Sequence, residues 1–116
     1  MKRNFRLTRS TDFKRVRRSG KSYAHPLVVL YVLKSDQLGV HVGVSAGLAV
    51  GNAVKRNRAK RLLRAAMNGL LPQTARGADL VLIARSPLPG ADLLQTRAAL
   101  TNLLKRAGLL AQIHDA

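Results

Sequence analysis

Residues 51–66 read GNAVKRNRAKRLLRAA, and six of these sixteen residues are Lys or Arg. Asn52 is a residue type that caps helix N-termini, and the apolar side chains after it recur with a helical period. The residues that end such a pattern are Gly69 and Pro72. The segment therefore predicts a helix that begins after Asn52 and ends near Gly69 or Pro72.

The two sides of this helix differ in chemistry. At about 100° per residue, the polar side chains fall within an arc of roughly 160°, and apolar side chains fill the opposite arc. The polar arc holds no acid, so its like charges repel one another, whereas an ordinary solvated face mixes both signs. Because guanidinium forks match phosphate oxygens, we interpret the arc as a phosphate-binding face. Its members are Asn57, Arg58, Lys60, Arg61 and Arg64, and the apolar arc consists of Ala59, Leu62, Leu63, Ala66, Met67 and Leu70.

The segments around the helix predict β-strands. Residues 27–33 and 80–84 are apolar runs, and residues 40–45 alternate apolar with polar side chains. Each of the three predicts a strand, with residues 35–39 as the turn between the first two. Residues 23–26 suggest an additional strand, although Pro26 is unfavourable inside a sheet.

Two further helices are predicted near the ends of the chain. The first covers residues 11–18, with Ser10 as its N-cap, Gly20 as its stop, and Phe13 and Val16 on its apolar side. The second covers residues 91–107, with Asp92 in its first turn and basic residues in its last. The elements then follow the order α-β-β-β-α-β-α, an α+β fold. The apolar stripe of the last helix consists of Leu93, Leu100, Leu103, Leu104 and Ala107.

The net charge restricts the partners of the chain. Its 116 residues carry 21 Lys and Arg against five Asp and no Glu, which gives a formal net charge of +16. Sixteen of the basic residues lie in residues 1–64, so we expect the binding surface mainly in the first half. A surface of this kind attracts polyanions. The length and the hydrophobic content of 47% predict one domain, residues 1–116.

Several other classes of protein fit the sequence poorly. The absence of Cys excludes a disulfide scaffold and a Cys-ligated zinc site. The apolar runs are too short to span a bilayer, and the N-terminus lacks the apolar stretch of a signal peptide, so we expect a soluble cytoplasmic protein with no membrane partner. The residues at 25, 41 and 114 are His without regular spacing, and we interpret them as ordinary polar residues. A two-metal nuclease needs clustered carboxylates, whereas the five Asp are scattered, so no catalytic residue is predicted.

Six segments in order resemble one known family. Residues 53–64, AVKRNRAKRLLR, resemble the signature helix of the bacterial ribonuclease P protein component, whose core is an Arg-Asn-Arg triplet, here Arg56, Asn57 and Arg58. Residues 10–22, STDFKRVRRSGKS, are similar to the family's N-terminal helix. Residues 29–33 and 42–45 are similar to its sheet, and residues 79–85 and 103–108 to its C-terminal third. The resemblance covers nearly the whole chain and is specific because the segments occur in the family's order.

The resemblance implies a fold and a function. The implied fold is an α-β sandwich, similar to a ribosomal-protein domain, with a left-handed βαβ crossover around the signature helix, against the usual right-handed rule. The implied function is that of the protein subunit of ribonuclease P, which binds a catalytic RNA and the 5′ leader of precursor tRNA and assists removal of the leader. Magnesium is expected through the RNA subunit, with no cofactor bound by protein residues alone, and one protein is expected per RNA.

The resemblance also implies site residues. Phe13, Arg17 and Tyr31 match a cleft between the first helix and the sheet that holds the leader, although Phe13 and Tyr31 are alternatively ordinary core residues. Arg17 stands where the family often has a second aromatic residue, and Gly47, Leu48 and Ala49 replace its usual Ser-Lys-Lys stretch. The implied contacts to the catalytic RNA are Lys55, Arg56, Asn57, Arg58, Lys60, Arg61 and Arg64, and the further phosphate contacts are Arg9, Lys14 and Lys21.

Three rival functions share part of this pattern. A small ribosomal or other RNA-binding protein without a role in cleavage would have the same charge. A helix-turn-helix DNA-binding protein would have a basic helix, but it would be mostly helical, and the predicted strands argue against it. An autonomous nuclease is disfavoured by the scattered acids.

Overall fold

The computed structural model describes residues 6–36, 39–75 and 77–110. Its elements follow the predicted order, and the α+β class is confirmed. Residues 37 and 38 of the predicted turn lie outside the described residues. The helices and strands are α1 (Ser10–Ser19), β1 (Lys21–Ala24), β2 (Val28–Lys34), β3 (Val40–Ser45), α2 (Ala53–Leu70), β4 (Ala78–Ala84) and α3 (Leu93–Arg106), with short 3₁₀ turns at Leu48–Val50, Leu71–Gln73 and Leu88–Gly90.

The four strands form one sheet in the order β1-β2-β4-β3. Strand β2 pairs antiparallel with both β1 and β4, whereas β3 pairs parallel with β4. Helix α2 therefore connects two adjacent parallel strands, as a βαβ crossover requires. The left hand of this crossover stays a prediction from the resemblance.

The main core lies between the sheet and the pair α2 and α3. Along β2, Leu30 and Val32 are buried among the core residues, while Tyr31 on the opposite face is half-buried. On that opposite face Val16 of α1 and Val81 of β4 are both fully buried, yet they lie outside the main core cluster. The sheet is thus covered by two helices on one face and by the short α1 on the other.

The start of α1 differs from the sequence prediction. Ser10 is already helical, and the N-cap is Arg9, whose backbone oxygen accepts from the amides of Asp12 and Phe13 at 3.1 and 3.2 Å. The prediction of Ser10 as the cap was wrong by one residue, because Ser10 is the first helical residue and the cap Arg9 makes no side-chain hydrogen bond to the first turn. The stop at Gly20 is confirmed, since α1 ends at Ser19 and Gly20 is its C-cap. Glycine is also needed there for packing, because a Cβ would lie 2.5 Å from the carbonyl oxygen of Val32.

The other element boundaries differ by a few residues. Strand β1 covers residues 21–24 rather than 23–26, because the chain turns at His25, whose backbone exchanges hydrogen bonds with Val28, and Pro26 lies within that turn. Helix α3 begins at Leu93, and Asp92 is its N-cap in a capping box with Gln95. The side chain of Leu93, predicted in the apolar stripe, is 41% exposed. It lies in the first turn of α3, at the edge of the contact with α2.

Candidate nucleic-acid interface

Helix α2 begins with a sharp turn that its sequence specifies. Gly51 has a φ of +133°, a conformation that side chains with a Cβ rarely adopt, and a Cβ there would lie 2.7 Å from Cδ of Lys55. The side chain of Asn52 then accepts a hydrogen bond from the amide of Lys55 at 3.0 Å. The predicted Asn52 cap is confirmed, and α2 ends at Leu70, between the two predicted stop residues.

The predicted division of α2 into a docked side and a basic side is largely confirmed. Ala59, Leu63, Ala66, Met67 and Leu70 are buried, and Leu62, at the edge of the apolar arc, is half-buried. Of the predicted phosphate-binding arc, Asn57, Arg58 and Arg61 are exposed, while Lys60 and Arg64 are half-buried on one flank.

Arg56 lies apart from that exposed arc. It is half-buried, and its Nε is a buried atom without a hydrogen-bond partner in the part of the chain that the structure describes. A buried donor of this kind costs free energy of about 1–3 kcal/mol unless it finds an acceptor. An oxygen-rich partner at the start of α2 would therefore be bound favourably.

Arg64 is under electrostatic strain. Burial lowers its pKa from the ordinary Arg range, and the like charge of Arg6 lowers it further. The charged form of Arg64 is therefore held less favourably in the folded protein than in water. An anion beside Arg6 and Arg64 would offset this penalty.

Arg58 is held in place by one hydrogen bond. Its Nε donates to the backbone oxygen of Pro89, in the 3₁₀ turn before α3, at 2.8 Å. The bond ties the outer face of α2 to the start of α3. It also restricts the guanidinium plane, so that less entropy is lost when Arg58 binds a ligand.

A second surface lies where α1 crosses the sheet. A Cβ at Gly43 of β3 would lie 2.5 Å from Cζ of Phe13, so the Phe13 ring sits directly over this glycine. On β2, two strands away, the guanidinium carbon of Arg17 lies 5.6 Å from the centre of the Tyr31 ring, a cation–π contact. Gly43 and Tyr31 both pair with Val81 of β4, so the two contacts flank that strand. The structure therefore brings Phe13, Arg17 and Tyr31 onto one face.

Phe13 and Tyr31 are not members of the main core cluster, and both side chains are half-buried. Their rings therefore contact the protein on one side and solvent on the other. The side chains predicted as further phosphate contacts are all exposed, namely Arg9, Lys14 and Lys21. Lys21 pairs with Val32 of the main core cluster, so it lies on the sheet face opposite Tyr31.

A hydrogen-bonded network holds α1 on the sheet. Asp79 of β4 is only 7% exposed, and its carboxylate accepts from Arg15 of α1 at 2.8 Å and lies 3.1 Å from Nδ1 of His41. The hydrogen bond to Asp79 is the main cause that raises the pKa of Arg15, and Asp12 contributes at 3.4 Å. The interpretation of His41 as an ordinary polar residue missed this network, since its members are far apart in sequence and meet only in the sheet.

The segment before α2 presents no basic side chain. Gly47, Leu48 and Ala49, which replace the Ser-Lys-Lys stretch, are exposed, and Leu48 is 83% exposed. Among the described residues, no group of three or more His, Cys, Asp or Glu could hold a metal ion, and no helix is long and apolar enough to cross a membrane. His114 lies outside the residues that the structure describes.

The fold and the charge distribution define a basic α+β protein with a cationic helix face and two half-buried aromatic side chains, Phe13 and Tyr31, on the sheet face that α1 crosses. The sequence model of the family described as Ribonuclease P matches residues 1–108. The ribonuclease P protein component of Lactiplantibacillus plantarum is 40% identical over 111 residues, which cover 95% of this chain and 97% of the relative. That of an Exiguobacterium strain is 40% identical over 107 residues, covering 92% and 93%. The chain belongs to the ribonuclease P protein family.

Solved structures agree with this assignment. The RNase P protein of Staphylococcus aureus superposes with a TM-score of 0.82 at 29% identity, covering 92% of this chain and 98% of that one. The RNase P protein of Thermotoga maritima superposes with a TM-score of 0.78 at 30% identity, covering 87% and 96%. The family places the chain in an endoribonuclease complex that is a ribonucleoprotein, so its partner includes RNA.

Proposed function

We propose that this protein binds the catalytic RNA of ribonuclease P and the 5′ leader of precursor tRNA, and thereby assists endonucleolytic removal of the leader during tRNA 5′ maturation. The observation that carries the proposal is the presence of two separate surfaces of different chemistry. One is the acid-free outer side of α2, and the other is the aromatic cleft between α1 and the sheet. A protein that bridges a structured RNA and a single strand needs one surface for each.

The outer side of α2 suits a phosphate backbone. Its exposed Arg58 and Arg61 carry guanidinium forks, and Arg64 is destabilised by burial and by Arg6 until an anion arrives. Each hydrogen bond to a charged group contributes about 1.5–3 kcal/mol, so several such contacts give substantial affinity. The residues assigned to this contact are Lys55, Arg56, Asn57, Arg58, Lys60, Arg61 and Arg64.

The cleft under α1 suits a single-stranded leader. Aromatic rings stack on any base and contribute about 1–3 kcal/mol per base without demanding a sequence. Phe13 and Tyr31 offer half-exposed rings, and the guanidinium of Arg17, already against Tyr31, offers a plane that stacks and also meets phosphate. Arg9, Lys14 and Lys21 are the further phosphate contacts that we assign to the protein.

The proposed division of labour leaves hydrolysis to the RNA. Magnesium bound by the RNA subunit would supply the nucleophile and stabilise the leaving group, while the protein neutralises phosphate repulsion and holds the leader. One protein per RNA is expected, because each of the two surfaces occurs once in the described fold. The complex is expected to act in the cytoplasm.

Reconstitution tests the proposal directly. We expect the purified protein to restore leader cleavage to the isolated catalytic RNA at low magnesium, where the RNA alone is slow. The alternative is a small basic RNA-binding protein without a role in cleavage. Tight RNA binding with no change in cleavage rate or in affinity for precursor tRNA would favour that alternative and contradict the proposal.

The cleft is tested by the preference for leader-bearing substrate. Phe13→Ala, Arg17→Ala and Tyr31→Ala should each lower the affinity of the reconstituted complex for precursor tRNA about 5- to 150-fold, as expected for one lost stacked base, and leave that for mature tRNA unchanged. The ratio of the two affinities is measured at fixed salt and magnesium, with thermal unfolding of each variant as the control. A wild-type ratio in all three folded variants would refute the cleft assignment.

A further inference from the structure

A groove runs between the outer side of α2 and the first turn of α3. Its volume is about 490 Å³, within the ~300–1,000 Å³ range of small-ligand pockets. It is lined by Val54, Asn57, Arg58, Arg61, Leu62, Ala65 and Leu93, and we call these seven residues the α2–α3 groove.

The groove combines exposed apolar surface with positive charge. Val54 is 75% exposed and Leu93 is 41% exposed, and they are two of the four large hydrophobic side chains exposed among the described residues. Arg58 and Arg61 stand beside them, and no acid lines the groove. Exposing aliphatic side chains beside arginines is unfavourable in water, so this surface gains by being covered.

The chemistry of the groove selects its occupant. A regular RNA duplex stacks its bases inside and would present mainly phosphates and sugars to Val54 and Leu93. A protein partner with an apolar segment would need acids to match the two arginines. An unpaired nucleotide matches both parts, because its base has apolar faces for the aliphatic side chains and for guanidinium planes, and its phosphates are anionic.

We propose that the α2–α3 groove receives an unstacked nucleobase of the catalytic RNA, while Arg58 and Arg61 contact the phosphates on either side. The proposal rests on the proposed function and adds a base-binding subsite to the cationic face of α2. The bond from Nε of Arg58 to Pro89 holds one wall of the groove before the RNA arrives.

Neighbouring leucines provide a matched test. Leu93 lines the groove, whereas Leu94, the next residue of α3, is 75% exposed and lies outside it. We expect Leu93→Ser and Val54→Ser each to weaken binding of the catalytic RNA about three- to tenfold, as expected when part of an aliphatic side chain stays in water. Leu94→Ser should bind like wild type, and because all three positions are exposed, thermal unfolding should change little.

The salt dependence of binding separates base contact from phosphate contact. Loss of an apolar contact lowers the affinity equally at every salt concentration, so Leu93→Ser should keep the wild-type slope of log affinity against log salt. Arg61→Ala should reduce that slope by about one. A Leu93→Ser variant that binds like Leu94→Ser would overturn the base site. Failure of wild-type protein to bind the catalytic RNA at all would instead overturn the proposed function, and the base site with it.

A crosslink gives an independent readout. The chain has no Cys, so Ala65→Cys creates a single attachment point in the groove for a photoreactive label, and Leu94→Cys provides the control. The label at position 65 should crosslink to one unpaired nucleotide of the RNA, and the label at position 94 should not. Equal or diffuse crosslinking from both positions would contradict the proposal.

Discussion

The contact between Phe13 and Gly43 makes a prediction that does not depend on the function. Gly43→Ala would place a Cβ 2.5 Å from Cζ and 2.8 Å from Cε1 of the Phe13 ring, so the ring must move. Gly43 lies in β3 with a backbone conformation that any residue adopts, and Ala itself is therefore compatible with the site. The three atoms nearest to the new Cβ all belong to the Phe13 ring, so the perturbation acts first on Phe13.

Two opposing effects set the magnitude. Replacing a strand Gly by Ala stabilises the folded state by roughly 0.5–1 kcal/mol through the reduced entropy of the unfolded chain. Overpacking costs about 1–3 kcal/mol, and here the low end applies because the half-buried Phe13 ring can swing towards solvent. We therefore expect Gly43→Ala to change the free energy of unfolding by only about 1 kcal/mol or less. In a Phe13→Ala background the clash is absent, and the same change should be stabilising.

Urea or thermal unfolding of four proteins measures this coupling. The wild type, the two single variants and the double variant form a cycle, and the interaction between the two sites should be about 1 kcal/mol or more. If Gly43→Ala has the same effect in both backgrounds, to within about 0.5 kcal/mol, the Phe13 ring does not lie over Gly43 and the cleft geometry is wrong. If the cleft holds the leader, Gly43→Ala should also lower the preference for precursor over mature tRNA, because it displaces the ring that stacks.

Three further predictions concern charge. Binding of the catalytic RNA should weaken as a power of salt concentration, and a nearly flat response would contradict the polyanion surface. Sulfate should raise the thermal midpoint more than chloride at matched ionic strength. Burial and the charge of Arg6 lower the pKa of Arg64, so the charged form of Arg64 destabilises the fold at every pH where Arg is protonated, and a bound anion offsets this penalty. Equal midpoints in the two salts would refute the prediction. Arg15→Met should destabilise the fold by about 1–2 kcal/mol, because the buried Asp79 loses its closest partner; the value is kept low because Arg15 is half-exposed. Urea unfolding measures the loss, with Lys14→Met as the exposed control. Equal stabilities of the two variants would count against the network.

The sequence predicted the elements well because their signals are local. Each strand except β1 was found from an apolar run or an alternation, and the Asn52 cap located the start of α2 to the residue. The errors have two causes. A serine before an apolar period predicts a cap at Ser10, but the helix begins one residue earlier and no side chain caps it. Helical spacing predicts Leu93 in the apolar stripe, but α2 does not fully cover the first turn of α3.

The candidate site was predicted less completely, because its contacts join distant parts of the chain. The arc on α2 follows from helical periodicity alone, so its exposed members could be named in advance. Arg15 and Asp79 are 64 positions apart, and nothing in either neighbourhood signals that they meet. The role of Gly43 is equally hidden, since the sequence shows a glycine in a strand but not the ring above it.

Unequal cover of the two sheet faces explains why Phe13 and Tyr31 stay half-buried in so small a fold. Helices α2 and α3 bury most of one face, whereas the ten-residue α1 crosses the other face and leaves Val29, Leu33 and Ile83 half-buried. A longer α1 or a second helix would close this face and bury Phe13 and Tyr31 as ordinary core. The hydrogen bond between Arg15 and Asp79 helps to hold α1 on the sheet, because a short helix buries little apolar surface of its own. The cleft proposed for the leader is therefore a consequence of a short first helix, and lengthening its apolar cover should abolish the preference for precursor tRNA while raising stability.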